Sequence, residues 1–247
     1  WVSDQQAYRN VLSAACEAAA RNPAIVVIGI SPTRAETGYG YIELAEKTPV
    51  FQSADGLPVY PVARFREKPN RQTAEEYLIS GKHYWNAGIF VWRLDTFLRE
   101  LEQVGTPHGA AIPRMADALR RERHAEAERI FLDLPAISID FALMERARNI
   151  WVVPADFHWD DVGEWSALER ILPRDSAGNA VSGNPALIDV SDSVIYQDPT
   201  ASGITVAALG VRDLVLVVTA DAVMVLPKSR AQDVRKIVDF LRNRNNE

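Results

Sequence analysis

The sequence predicts an α/β layered domain followed by a small β-rich unit, and three observations predict it. Amphipathic helical stretches alternate with short β-branched apolar runs over residues 1–172. Beyond residue 173 the pattern changes to short β-branched pieces at close intervals, separated by turn residues. The 247 residues are 47% hydrophobic and 24% charged, so the chain makes one large domain or a medium domain with an appendage. At that length about 70–75% of the unfolded-state surface is buried on folding.

Each element follows from its own residues. Ser3 and Gln6 have the spacing of a capping box, and Tyr8, Val11, Leu12, Ala15, Ala18 and Ala19 repeat at helical spacing. That predicts a helix over residues 3–20, ended by Asn22-Pro23. The unbroken run IVVIGI at 25–30 suits a strand covered on both faces. Gly38-Tyr39-Gly40 makes a turn before a strand at 41–44, and 62–67 reads as a third strand stopped by Lys68-Pro69. A helix over 73–80 closed by Gly81 leads into a strand at 89–92, and Asp95 caps a helix ending at Gly105. Further helices are expected over 113–126 and 138–148, then a strand at 150–154 and a compact loop over 156–165. The later pieces at 187–188, 194–196, 205–206, 214–218 and 223–226 suit a small β unit, with a short solenoid as one form. A last helix over 229–243 places Val234, Ile237, Val238 and Leu241 on one face. The domain boundary is expected at about 172, giving domains 1–172 and 173–247.

Composition excludes several classes. Ordinary apolar and charged fractions rule out a disordered tail, a collagenous fibre and a disulfide-stapled miniature. Lys and Arg total 27 against 33 Asp and Glu, a net charge of −6 with no basic block. Neither nucleic acid nor an anionic membrane is therefore an expected partner. Any phosphate must be met by a few placed cations. The single cysteine, Cys16, cannot form an internal disulfide. It lies among Ala14, Ala15, Ala18, Ala19 and Ala20, so a small buried thiol is expected, in keeping with a reducing cytoplasm. No apolar run approaches the roughly 18–20 residues that span a bilayer, and there is no signal peptide. The chain opens on Trp1 rather than Met, so a missing head is expected.

Familiar catalytic motifs are absent. His83, His108, His124 and His158 show no metal-site spacing, and a lone cysteine excludes a thiolate zinc site. There is no G-x-S-x-G elbow and no P-loop lysine. Asp160 and Asp161 would point to opposite faces of an extended backbone, so they do not make a carboxylate pair across one bond. Four segments remain, each setting polar or glycine residues inside an apolar strand end. In 36–42 (ETGYGYI), two glycines allow close backbone approach to a ligand, or simply a tight turn. In 65–69 (FREKP), Glu67 and Lys68 are a binding pair or a surface ion pair. In 84–90 (YWNAGIF), Asn86 needs hydrogen-bond partners that a sugar hydroxyl would supply, or it forms a turn. In 158–165 (HWDDVGEW), solvated charge explains Asp160, whereas two tryptophans suggest a partly enclosed Asp161.

Together these segments resemble the sugar-nucleotide pyrophosphorylases, most closely the bacterial-type mannose-1-phosphate guanylyltransferases. The similarity runs through nearly the whole chain. It includes Gly29 to Thr33, Ser138-Ile139-Asp140, Asp213-Leu214-Val215, Asp221-Ala222-Val223 and 227–234 (PKSRAQDV). ETGYGYI combined with D-V-G-x-W is specific to the mannose branch. The resemblance implies a Rossmann-like, GT-A-like mixed sheet, with a terminal helix and a short left-handed β-helix as the candidate form of the C-terminal β unit. It implies transfer from GTP to mannose 1-phosphate, giving GDP-mannose and pyrophosphate in the cytoplasm, with Mg²⁺ as cofactor and a homodimer as candidate assembly. By residue, it implies Asp161 on the metal, Lys68 on the sugar phosphate, Glu67 and Asn86 on mannose hydroxyls and Gly40 presenting backbone to the sugar. Asp140 would orient Lys68 or a ligand hydroxyl. The family's glycine-rich G-G-x-G-x-R-L loop and a further metal-holding aspartate are not in this sequence. The expectation is that they lie upstream of Trp1, leaving the sugar-phosphate half here, inactive by itself. A non-catalytic sugar-phosphate-binding or regulatory relative, and a purely structural assembly piece, are the alternatives.

Overall fold

The computed structural model describes residues 1–244. The chain divides into two compact units, one of residues 2–159 and one of Trp1 with the chain from Asp160 onward.

In the first unit, α1 (Gln5–Arg21) precedes β1 (Ile25–Ile30), β2 (Tyr41–Leu44), β3 (Phe51–Gln52) and β4 (Pro58–Arg66). Then come α2 (Arg71–Ser80), β5 (His83–Val91), α3 (Leu94–Val104), α4 (Pro107–Arg120), α5 (His124–Leu132) and β6 (Ile150–Ala155). The sheet order is β2-β5-β1-β6-β4-β3. Strand β1 lies between a parallel β6 and an antiparallel β5, so the sheet is mixed. All six residues of β1 are buried. Its alternate side chains feed two cores: Val26, Ile28 and Ile30 pack with α1, while Ile25 and Val27 pack with Leu101, Leu143 and Met144. Strand β4 serves three neighbours, pairing with β3 at Pro58 and Val59, with β6 at Tyr60 and Pro61 and with β2 from Val62 to Arg66.

Several local expectations are corrected. Asp4, not Ser3, caps α1, its carboxylate accepting from the N–H groups of Gln6 and Ala7; the Ser3 hydroxyl instead accepts from His158 N–H. Cys16 is exposed, because it follows buried Ala15 by one residue and so turns about 100° off the buried face. Asp95 lies inside the first turn of α3, where it accepts from Thr96 N–H, while Arg93 takes the cap position. Gly81 and Gly105 close their helices in left-handed conformations, as their sequence positions suggest. The helix expected over 113–126 is two: α4 starts at Pro107 behind the cap Thr106, with Pro113 in its interior, and α5 follows. The helix expected over 138–148 is a single π turn, Asp140–Met144. The short strands expected at 62–67 and 89–92 are the ends of the nine-residue strands β4 and β5.

In the second unit a short 3₁₀ turn (Trp165–Ala167) leads to α6 (Leu168–Ile171) and the β-rich region. That region holds β7 (Ala180–Ser182), β8 (Ala186–Ile188), β9 (Val194–Gln197), β10 (Ala207–Leu209), β11 (Leu214–Val218) and β12 (Val223–Pro227). Strands β7, β9 and β11 are parallel neighbours in one sheet, β8 and β10 in another. The chain therefore alternates between two parallel ladders, which is the winding of a short solenoid. The strand expected at 205–206 is β10, two residues later. Buried Asn179 ties turns together: its amide donates to Asp175 Oδ2 and to the Val190 carbonyl, and its oxygen accepts from Ser193 N–H. Trp165, Leu168, Ile171 and Leu172 pack with Ala180, Val194 and Val215, so residues 160–172 share the core of this unit. Last comes α7 (Val234–Arg244), in which no side chain is buried; Ile237, Val238 and Leu241 are exposed. Among the described residues, no helix is long and apolar enough to cross a membrane.

Candidate active site

Strand ends and one irregularity in the sheet gather most of the residues singled out above. The ladder of β2 with β4 ends at Tyr41 opposite Arg66. Just past it, Lys68 N–H donates to the Tyr39 carbonyl (3.2 Å), and Lys68 adopts φ +45°. That left-handed backbone costs a non-glycine residue about 1–2 kcal/mol, and it turns the chain ahead of Pro69. The Lys68 ammonium, with 61% of its side chain exposed, pairs at 3.0 Å with the Glu67 carboxylate, of which 9% is exposed.

On β5 the register against β1 slips between Val27 and Gly29, which places Asn86 opposite Gly29. At the slip, Asn86 is buried, its N–H donates to the Gly40 carbonyl (2.8 Å), and its oxygen accepts from Gly88 N–H (3.0 Å). A bulge at this point re-aims one side chain of an otherwise regular strand. Gly40 closes the group. A Cβ there would stand 2.5 Å from Glu67 Oε2 and 3.3 Å from Asn86 Cβ, so the carboxylate occupies space that only glycine leaves.

The structure thus brings Gly40, Glu67, Lys68 and Asn86 together. Burial pushes the Glu67 carboxyl above its usual range; the Lys68 hydrogen bond and charge pull it back, and the Asp140 and Glu145 charges push it further up. Asp140, the first residue of the π turn, therefore acts on Glu67 electrostatically. Glu145, absent from the sequence expectations, accepts the Glu67 N–H at 3.0 Å. Its signal in the sequence is weak, because residues 140 and 145 fall about 140° apart on an α-helix. A π turn, bonding Glu145 N–H to the Asp140 carbonyl, narrows that separation. Arg34 likewise stands outside the sequence expectations: its guanidinium lies 4.9 Å from the Trp85 ring centroid and 5.7 Å from that of Tyr39, and it bonds Glu36.

The two aspartates of the second unit are reversed from expectation. Asp160 is 4% exposed and accepts from Arg170 Nε (2.5 Å) and Nη2 (3.0 Å) and from Val162 N–H. Asp161 is exposed, not enclosed. Alternation along the chain is the reason: once Asp160 turns inward to Arg170, its neighbour faces out. Val162 has φ +51°, unusual for a β-branched residue, and a Cβ on Gly163 would lie 2.7 Å from Asp161 Oδ2. The bare backbone of Gly163 leaves that carboxylate room. Among the described residues no three His, Cys, Asp or Glu side chains converge as a metal site.

Comparison with known proteins gives a consistent picture. Residues 1–177 match the nucleotidyl transferase family, and residues 183–241 match a MannoseP isomerase/GMP-like beta-helix domain. Mannose-1-phosphate guanylyltransferase 2 of Escherichia coli O157:H7 is 39% identical over 224 residues, covering 88% of this chain and 45% of its own. Mannose-1-phosphate guanylyltransferase RfbM of Salmonella typhimurium is 37% identical over 254 residues, covering 100% of this chain and 50% of its own. A crystal structure of mannose-1-phosphate geranyltransferase from Thermus thermophilus superposes with a TM-score of 0.81 at 36% identity, covering 98% of this chain and 67% of that one. The chain spans about half the length of the curated relatives it matches.

Proposed function

The chain belongs to the nucleotidyl transferase family, and from that premise we propose that the whole protein transfers the guanylyl group of GTP to mannose 1-phosphate. A phosphate oxygen of the sugar phosphate attacks the α-phosphorus of GTP. The new P–O bond forms as the α–β bridging P–O bond breaks, and pyrophosphate leaves with the electron pair. Positioning and charge neutralisation carry such a transfer, with little covalent work for the protein. The observation that carries the reading is the Glu67–Lys68 pair under Gly40 and Asn86.

Lys68 is the exposed cation suited to the sugar phosphate. Glu67, held back under Gly40, accepts from mannose hydroxyls, and the Asn86 side chain adds a donor and an acceptor. Gly40 brings backbone close to the sugar ring, and Asp140 orients the pair by its charge. Asp161 would hold Mg²⁺, which when bound neutralises triphosphate charge. The chemistry-bearing part runs through residue 172 because it includes Asp161, although residues 160–172 pack with the β unit. We place the reaction in the cytoplasm, where an exposed free thiol such as Cys16 stays reduced. A homodimer is the proposed assembly, supported by the exposed Ile188, Leu209, Val223 and Val225 of the β unit.

The test is a panel of nucleoside triphosphates and sugar 1-phosphates, each assayed for pyrophosphate release by the whole protein with Mg²⁺. GTP with mannose 1-phosphate is expected to be preferred. Preference for UTP or dTTP with glucose 1-phosphate would overturn the assignment.

A further inference from the structure

We infer that Glu145 is a positioning residue for the sugar-phosphate pair, holding the strand-end backbone from which Glu67 and Lys68 project. The inference rests on the reading of that pair as the sugar-phosphate site, and it starts from where backbone donors go. Past Arg66 the β4 ladder has ended, so the next two N–H groups need other acceptors. Lys68 N–H finds the Tyr39 carbonyl, and Glu67 N–H finds the Glu145 carboxylate, 78 positions away in sequence. A hydrogen bond to an ionised acceptor is stronger than one to a neutral carbonyl. These two anchors hold a turn whose left-handed residue, Lys68, would otherwise relax.

Glu145 is itself held in place. Its N–H closes the π turn on the Asp140 carbonyl, next to buried Leu143 and Met144. Its charge has a second effect. The charged groups that act on Glu67 are Lys68, Asp140 and Glu145, and of these only Glu145 also bonds the Glu67 backbone. Glu145 therefore couples the direction of the pair to the ionisation of its carboxylate. The two contributions separate by substitution, since Glu145→Gln keeps an acceptor oxygen and drops the charge, and Glu145→Ala drops both.

The experiment uses the whole protein, its Glu145→Gln and Glu145→Ala variants, and two readouts. Calorimetric titration with mannose 1-phosphate measures positioning. Carboxyl ¹³C resonance against pH, assigned through Glu67→Gln, measures the Glu67 midpoint without ligand. Glu145→Ala is expected to weaken binding about tenfold or more, and Glu145→Gln to restore it to within about threefold of wild type. In both variants the Glu67 midpoint should fall, because a like charge has been removed. Wild-type affinity in Glu145→Ala, or an unmoved midpoint in Glu145→Gln, overturns the inference. Should Glu145→Ala not fold, the Glu145→Gln midpoint decides. Absence of mannose 1-phosphate binding by the wild type overturns the sugar-phosphate reading instead, and the ligand-free midpoint still decides the Glu145 contact.

Discussion

Glu67 carries an opposition between stability and use. Its carboxyl is pushed up chiefly by burial, so the folded chain holds the proton more tightly than the unfolded chain. A raised carboxyl contributes stability that is full below the ordinary carboxylate range and lost as pH rises through the folded value. Above that value the buried charge is a burden that Lys68 only partly offsets. Glu67→Gln should therefore raise the melting midpoint by about 1–3 °C near pH 8, with the gain vanishing near pH 4; a constant gain across that range in thermal melts would deny the burial effect. Gly40→Ala would press the Glu67 carboxylate out of its place, since the added Cβ would meet Oε2 at 2.5 Å. Calorimetry should show mannose 1-phosphate binding weakened about tenfold or more, with the fold retained by circular dichroism. These residue types were legible in the sequence because each was out of place in an apolar strand end. Which of Asp160 and Asp161 is enclosed was not, since that depends on Arg170, ten residues further on.

At the scale of elements, hydrogen bonds inside the solenoid hold successive turns. The Asn179 side chain makes three bonds to groups at 175, 190 and 193, so Asn179→Ala leaves the buried Val190 carbonyl and Ser193 N–H without it. A cost of about 2–4 kcal/mol is expected, read as a lower urea midpoint in equilibrium unfolding. A loss below about 0.5 kcal/mol would mean that the turns are held by apolar packing alone. Strand β1 was legible because six consecutive apolar residues need cover on both faces. The π turn at Asp140–Met144 was not, because its residues read as ordinary helix, and the packing of Leu143 and Met144 in the sheet core is not visible in local pattern. The terminal helix shows the converse: its apolar stripe is plain in the sequence, yet Ile237, Val238 and Leu241 are exposed.

At the scale of the whole molecule, ligand binding and turnover should separate by substitution. Asp161→Asn keeps shape and removes one charge from the proposed metal ligand. In the whole protein turnover should fall on the order of 10²-fold, with mannose 1-phosphate affinity near wild type. Near wild-type kcat at saturating Mg²⁺ would remove Asp161 from the chemistry. Light scattering checks the proposed homodimer, expected at twice the monomer mass; a monomer at every concentration would leave the exposed apolar residues of the β unit unassembled.

The layered α/β class, the change of pattern near residue 173, the family resemblance and the four segments of candidate chemistry can all be read from the order of residues. Those follow from local pattern: apolar period, glycine and proline punctuation, and polar residues set where strands should be apolar. Three features emerge from the folded chain alone: Glu145 reaches the Glu67 backbone, Asn86 sits on a register slip opposite Gly29, and residues 160–172 pack with the solenoid. Each is a contact between residues distant in sequence, or a conformation chosen by such contacts. Local propensity is blind to them, because the free energy that selects them comes from burial and hydrogen-bond satisfaction across the whole sheet.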